Sequence, residues 1–288
     1  MQRYNAKAIS IFFLFFGTQH TYSADTFNGM QFHNTHATLA KIQEIIASEQ
    51  KGAWLRFGDG DVNLANGLND LHQKKDKHLQ AEMREAFSMN GPTILKSLSL
   101  HCDALGLKEE GMYPGNQEVQ LPWCINHFNK AKHLWGGPVQ DVYSPVALCF
   151  MATEHPQECA SFLRFLREQN VVLLVGNKDI PAHIRTLLFG SSCAFVPTPS
   201  SRSYTQIDRI ERECLAKIPN DGAYKVVIVA MGCAGRPLQK RLWRKIDNVF
   251  FFDFGSLMDA LCGWNTRAYI ELTGFDRHAF LRLFSDEG

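Results

Sequence analysis

The chain has almost no net charge. Across 288 residues, 30 lysines and arginines face 29 aspartates and glutamates, a formal balance of +1. Without a basic surplus there is no electrostatic case for nucleic acid or for an anionic membrane surface. The fixed-spacing signatures of several chemistries are missing as well. There is no Cys-x-x-Cys, no Cys/His cluster at zinc spacing, no His-Glu-x-x-His, no Walker lysine loop and no Gly-x-Gly-x-x-Gly. The 11 histidines fit no catalytic-triad order. No internal repeat, low-complexity tract or domain linker interrupts the chain.

Long apolar runs are scarce too, and the one that stands out is N-terminal. Arg3 and Lys7 precede Ala8–Gly17, and polar or small residues follow to Ala24. The run is shorter than the roughly 20 apolar residues of a membrane span. It reads as a signal peptide over residues 1–24 or a short N-terminal anchor, with a buried segment as the alternative. That places the protein in a secretory lumen or outside the cell, or in the cytoplasm if the segment is no signal. The eight cysteines are scattered and read mainly as buried small hydrophobes, with one or two disulfides.

What remains is an ordinary globular balance, 45% apolar and 20% charged, long enough for one large domain over 25–288. Leu39, Ile42, Ile45 and Ile46 mark a helix opened by Asn34-Thr35. Trp54–Phe57 reads as a strand, and Leu64, Leu68 and Leu71 as a helix beginning just after the Gly58–Asp61 turn. Residues 79–107 suggest two helical pieces broken at Asn90-Gly91-Pro92. Residues 109–144 suggest a loop that recognises an acceptor, or else a helical cap packing its aromatics.

Beyond Pro156 the alternation is regular. Helix Cys159–Leu166, strand Val171–Val175, a short helix, strand Cys193–Val196, helix Tyr204–Ile218, strand Lys225–Ala230, a helix through Trp243 and strand Val249–Asp253 follow in turn. Fully apolar strands between helices predict an α/β, Rossmann-like doubly wound sheet in a single domain. Its ligands are expected outside the carboxyl ends of the strands.

Asp59 and Asp61 stand one residue apart, between glycines, at such a strand end. Two carboxylates that close repel unless a cation or donors separate them, so they are candidate ligands of a divalent metal carrying a diphosphate. A solvated turn is the plain alternative. An EF-hand is a rival that fails at Leu64, where glycine is required, and at Asp70, where a bidentate Glu is required. Asp253, an acid closing an apolar strand, is costly to bury alone and is a candidate to share the metal or hold a ribose. Gly176 and Gly232 end other strands and let backbone approach a ligand. Ser200-Ser201-Arg202 offers hydroxyls and a guanidinium for phosphate, and Lys178-Asp179 has similar standing. Met231–Gly235 is a turn for phosphate or another cofactor, or simply a tight connection.

These motifs, in this order, resemble the GT-D-type glycosyltransferases. Leu55-Arg56-Phe57-Gly58-Asp59-Gly60-Asp61 is similar to that family's R-F-G-D-G-E, with Asp61 in place of Glu. Val229–Ala234 stands where the family has a strand and a G-P-T-A-like turn, and Asp253-Phe254-Gly255-Ser256 where it has D-I-G-H. The resemblance spans roughly residues 53 to 264, and Ser256 takes the place of the histidine. It implies a metal-dependent glycosyltransferase using a nucleotide-sugar donor, expected to be a UDP-sugar, and a glycan or protein-linked acceptor. Asp59 and Asp61 would be catalytic and, with Asp253, hold Mn²⁺ or Mg²⁺. Arg56, Gly58, Gly176, Arg202, Gly232 and Asp253 would bind the donor. The competing expectations are a nucleotide- or glycan-binding protein without turnover, and another Rossmann transferase such as a methyltransferase.

Overall fold

The computed structural model describes residues 25–27, 30–70, 73–100, 117–264, 266 and 274–284. The proposed signal segment, Cys102, Leu71 and residues 109–116 of the expected acceptor loop lie outside the described residues.

In chain order the elements are β1 (Asp25–Phe27), β2 (Met30–His33), α1 (Thr35–Ala47), β3 (Gly52–Phe57), α2 (Asp59–Ala65), α3 (Lys77–Phe87), β4 (Ile94–Leu98), α4 (Gln117–Lys132), β5 (Asp141–Tyr143), α5 (Ala147–Glu154) and α6 (Pro156–Glu168). Then come β6 (Val171–Asn177), α7 (Ala182–Phe189), β7 (Ala194–Thr198), α8 (Ile207–Lys217), β8 (Lys225–Ala230), α9 (Gly235–Trp243), β9 (Val249–Asp253), α10 (Leu257–Leu261) and α11 (Arg277–Arg282).

The strands form a single sheet in the order β1-β2-β5-β4-β3-β9-β8-β6-β7. Eight are mutually parallel, and only β1, on the edge, runs antiparallel. Alternate strand residues feed two cores, as the two-residue period of a strand requires. Ala53, Leu55, Phe57 and Phe251 pack on one face with α2, α3, α4, α8 and α9. Trp54, Phe250 and Phe252 pack on the other with α1, α5, α6, α7 and α10. Phe250, Phe251 and Phe252 are fully buried, each contributing about 1.5–3 kcal/mol by leaving water. Gly52 is fixed by this crowding, because a Cβ there would meet Phe250 at 2.6 Å and Ile45 at 2.9 Å.

The expected helix opened by Asn34 is α1, whose first turn is capped by Asn34 Oδ1 accepting from the Ala37 N–H at 2.9 Å. Two regions differ from expectation. The second helical piece after Pro92 is the strand β4, buried along its whole length despite Lys96 and Ser97. Ser97 is absorbed by hydrogen bonds, accepting from Trp54 Nε1 at 2.8 Å and donating to the Ser144 carbonyl at 3.1 Å. The 109–144 region is not a loop where it is described. It forms α4, with Pro122 inside it, and β5, and it packs Phe128 and Trp135 into the core, so the helical-cap alternative holds. Leu68 lies beyond the end of α2 and is exposed.

Lys96 shows how β4 tolerates a buried cation. Its Nζ donates to the carbonyls of Phe87 (3.0 Å) and Trp135 (2.8 Å) and to Asn90 Oδ1 (2.7 Å), and it lies over the Trp135 ring. Burial pulls the amine down to about 7, far below the roughly 10.4 of an unfolded lysine. Between those values the unfolded chain binds more protons at this position than the folded one. This site therefore contributes a stability that rises with pH across the window and is absent below it. Lys96→Met should flatten that part of the dependence of Tm on pH. It should also lower stability by about 1–3 kcal/mol by stranding buried acceptors. Thermal melts of both proteins at neutral and alkaline pH check this, and equal slopes would refute it.

Cys159, Cys193, Cys214 and Cys262 are unbridged thiols. They behave as the expected small hydrophobes, and burial raises all four, three of them to about 12. No helix among the described residues is long and apolar enough to cross a membrane.

Candidate functional site

The chain leaves β3 toward one face of the sheet and leaves β9 toward the other, yet the two strands are neighbours. From β3 the chain builds outward through β4 and β5. From the far edge it returns through β8 to β9. That reversal sets the carboxyl ends of β3 and β9 side by side, the position in open α/β sheets where ligands bind.

The side chains gathered at these strand ends are charged. Asp61, in the first turn of α2, is 2% exposed, and Asp253, the last residue of β9, is 1% exposed. Between them runs the guanidinium of Arg236, from the start of α9. Its Nη1 is 2.9 Å from Asp253 Oδ2, and its Nε is 3.6 Å from Asp61 Oδ1. Arg236 is anchored from behind, donating to the backbone carbonyls of Arg56 (2.5 Å) and Gly232 (2.8 Å). Gly232 adopts a positive φ of 60° that turns the chain out of β8.

Arg56 closes the opposite side. Its Nη1 is 3.9 Å from Asp253 Oδ1, and its Nε donates to the Pro145 carbonyl at 2.7 Å. Gly255, at φ 62°, is dictated by this arrangement, since a Cβ there would overlap the Arg56 guanidinium. Gly60 is dictated in the same way, because a Cβ would collide with the carboxylate of Asp70. Cys233 Sγ in turn donates to Asp70 Oδ2 at 3.8 Å.

Asp61 has a local role as well. Its Oδ2 accepts the Gly58 N–H at 2.8 Å, reaching back from the third helical position to the residue that caps α2. The acidic pair therefore lies inside the first turn of the helix rather than before it. Burial pushes the Asp61 carboxyl up. Arg236 and the Gly58 N–H pull it back, the charges of Asp253 and Asp70 oppose them, and the net direction is upward. Arg236 loses hydration on burial, but Asp253 and Asp61 outweigh this and hold it firmly protonated.

The structure thus brings Arg56, Gly58, Asp61, Gly232 and Asp253 together. Asp59 sits two residues from Asp61 on the exposed side of the same turn. Gly176 and Arg202 are elsewhere. Gly176 ends β6, three strands from β3, where Ile180 fills the space a Cβ would need. Arg202 follows the edge strand β7, four strands from β3, or roughly 19 Å at about 4.8 Å per strand. Lys178 and Asp179 are exposed beside it. Ser256 lies 4.0 Å from Cys149 Sγ, and Asp259 accepts from Thr266 at 2.6 Å.

Sequence reasoning missed Arg236 and Asp70. An arginine just after a glycine-rich strand end, followed by Pro237, was the available signal for the first. Nothing local marked the second.

The donor set suits a hard cation. Asp61 Oδ1 and Asp253 Oδ2 are buried carboxylate oxygens that make no well-formed hydrogen bond and are met only by the Arg236 guanidinium, at 3.6 and 2.9 Å, and carboxylate oxygen is the preferred ligand of Mg²⁺ and Mn²⁺. Among the described residues these carboxylates do not close a three-ligand protein cage. They are nonetheless compatible with a Mg²⁺-type ion that uses one or two carboxylates and completes its shell with substrate phosphates.

Solved structures share this architecture. A glycosyltransferase (DUF1792) from Streptococcus sanguinis superposes with a TM-score of 0.61, at 17% identity over 80% of this chain and 82% of that one. A structure of the domain of unknown function 1792, described as a distinct glycosyltransferase fold, gives 0.59 at 17% identity over 80% of both chains. The fold is that of the DUF1792 glycosyltransferases. This is the GT-D-type architecture that the motif order implied, now seen across most of the chain. No family model matches the sequence, and no curated protein is detectably similar to it.

Proposed function

We propose that the protein is a glycosyltransferase that takes a sugar from a nucleotide-sugar donor, of the UDP-sugar kind, to a glycan or protein-linked acceptor. The observation that carries this reading is the charged cluster at the adjoining ends of β3 and β9, where two buried carboxylates meet two guanidiniums on a glycosyltransferase-type fold. Transfer leaves a nucleoside diphosphate whose negative charge grows as the glycosidic bond breaks. Groups fixed in advance toward that charge favour the transition state over the bound donor. Arg56 and Arg236 are such groups, each held by backbone carbonyls so that little reorganisation is needed. Asp61 and Asp253, with Asp59 at the open side, would hold a divalent ion. Such an ion, when bound, would add further positive charge against the departing diphosphate. Gly58 and Gly232 leave the backbone accessible beside these side chains. With an N-terminal signal, the reaction requires a lumen supplied with sugar nucleotides, and export to a compartment without them would favour a binding protein without turnover.

Thermal shift against nucleotide sugars with Mn²⁺, beside S-adenosylmethionine, is the first test. The expected result is a rise in Tm with a nucleotide sugar that chelation diminishes, accompanied by donor hydrolysis or transfer. Asp59→Ala should weaken both while leaving the far-UV dichroism intact. A shift with no product over long incubation would favour a binding protein without turnover, for which Ser256 in place of a histidine is the supporting observation. A shift with S-adenosylmethionine alone would overturn the proposal in favour of methyl transfer.

A further inference from the structure

A second group of ligating side chains converges on the carboxyl edge of the sheet, on the face opposite α2 and α9. His36 is the second residue of α1, His155 joins α5 to α6, and Glu158 lies in the first turn of α6. One ligand atom from each falls within 4.8 Å of the other two. His36 Nε2 is 3.4 Å from Glu158 Oε2, and His155 Nδ1 is 3.7 Å from Glu158 Oε1. The imidazoles meet edge to face with their centres 5.1 Å apart, and Phe150 supports His155 from behind at 5.8 Å.

These distances discriminate between two kinds of site. A charge-assisted N–H···O hydrogen bond spans about 2.8 Å. Two ligands on one tetrahedral ion with bonds of about 2.0–2.1 Å stand roughly 3.4 Å apart. The two His–Glu158 distances, one to each carboxylate oxygen, lie nearer the second spacing, and one ligand atom from each residue stays within 4.8 Å of the others. The residues arrive from positions more than a hundred apart in the chain because α1 packs on α5 and α5 turns directly into α6. The side chains also remain reachable, at 20% exposure for His36, 36% for His155 and 54% for Glu158.

Two imidazoles and one carboxylate make a zinc-type ligand set with a fourth position left to water. Imidazole nitrogen favours zinc and its neighbours over magnesium or calcium, whereas Asp61 and Asp253 offer only oxygen. We propose that His36, His155 and Glu158 bind a zinc-type divalent ion that fastens the start of α1 to the α5–α6 corner. The two sites would then select different metals within one chain, and this inference does not depend on the reading of the Asp61 cluster.

The test uses the full chain, stripped of metal by chelator and dialysed. Calorimetric titration with Zn²⁺ should show binding at one equivalent, and Zn²⁺ should raise Tm. His36→Ala and His155→Ala should each weaken binding by at least about tenfold, since disturbing even the groups behind a ligand costs that much. Both should remove the Zn²⁺-dependent rise in Tm. Glu158→Gln, a substitution at the most exposed of the three positions, provides the same readout should a histidine variant fold poorly. Co²⁺ serves as a spectroscopic probe, and its absorption should show nitrogen and oxygen ligation without a thiolate charge-transfer band. Undiminished Zn²⁺ affinity in these variants, no binding at all, or a thiolate band from the cysteines would each overturn the proposal.

Discussion

Arg236→Ala is expected to destabilise the fold by about 3–5 kcal/mol, the usual loss when one partner is removed from a buried ion pair. For a chain of this size that corresponds to a Tm lower by roughly 6–20 °C. The reason lies in what is left behind. Asp61 and Asp253 are both almost completely buried, and Arg236 is the cation within 4 Å of each. Without it, the two carboxylates face each other and Asp70 in a desolvated cluster where Arg56, 3.9 Å from Asp253, is the remaining counter-charge and Coulomb repulsion is weakly screened.

The pH dependence separates this account from simple loss of packing. In the variant, the Asp61 carboxyl, already pushed up by burial, loses the Arg236 charge that pulls it back and rises further above its unfolded value. Folding would then take up protons, and stability would recover as pH falls through the raised value. The gap between wild type and variant should therefore narrow on acidification toward about pH 5, where unfolded carboxylates begin to protonate. Adding Asp61→Asn and Asp253→Asn to Arg236→Ala should recover much of the loss at neutral pH. A gap that stays constant with pH, and is untouched by the added amides, would show that the guanidinium acts only by filling space.

Asp61→Ala is expected to reduce sugar transfer and donor hydrolysis by about 10²–10³, the scale of removing one preorganised electrostatic group from an active site. Its far-UV dichroism should match that of the wild type. Asp61→Asn sharpens the interpretation. An amide oxygen can still accept the Gly58 N–H, so the start of α2 should be preserved while the negative charge is lost. If Asp61 served only as a helix cap, the asparagine variant would keep full activity and the alanine variant would lose stability by about 1 kcal/mol. If it serves the donor, both lose activity, and the loss should fall on kcat rather than on KM alone. Full turnover in both variants would remove Asp61 from the mechanism.

The elements legible in the sequence were those whose physics is local. β6, β8 and β9 are apolar on both faces because helices cover both sides of the sheet, and such runs stand out without context. α1 announced itself through Asn34 and the spacing of its isoleucines. β4 did not, because Lys96 and Ser97 interrupt its apolar run, and their acceptors come from residues up to 47 positions away. β2 and β5 are too short to show a period. α4 carries Pro122 and a mixed set of aromatics, which read as loop chemistry.

The site divides along the same line. Asp61 and Asp253 were visible as acids at strand ends, where burial is costly. Their shared partner was not, since an arginine in a helix ordinarily faces water, and only the adjacency of β3, β8 and β9 turns Arg236 inward. Gly176 and Arg202 looked equivalent to Gly232 in the sequence. The strand order, which spacing along the chain does not encode, sets them apart.

That strand order also bears on how the protein is made. Gly52 pairs with Phe250, so one side of the charged cluster is synthesised long before the other. At ordinary rates of about 5–20 residues per second, the interval is roughly 10–40 s. For most of it, β3 has an unsatisfied hydrogen-bonding edge and Asp61 lacks the counter-charge of Arg236. A nascent or truncated chain ending before Val249 lacks the strand that joins the two halves of the sheet. Its β3 and β8 edges are left open to each other's wrong partners and to neighbouring chains. The charged cluster at the ends of β3 and β9 is among the last features to form, and its presence certifies that synthesis has passed β9.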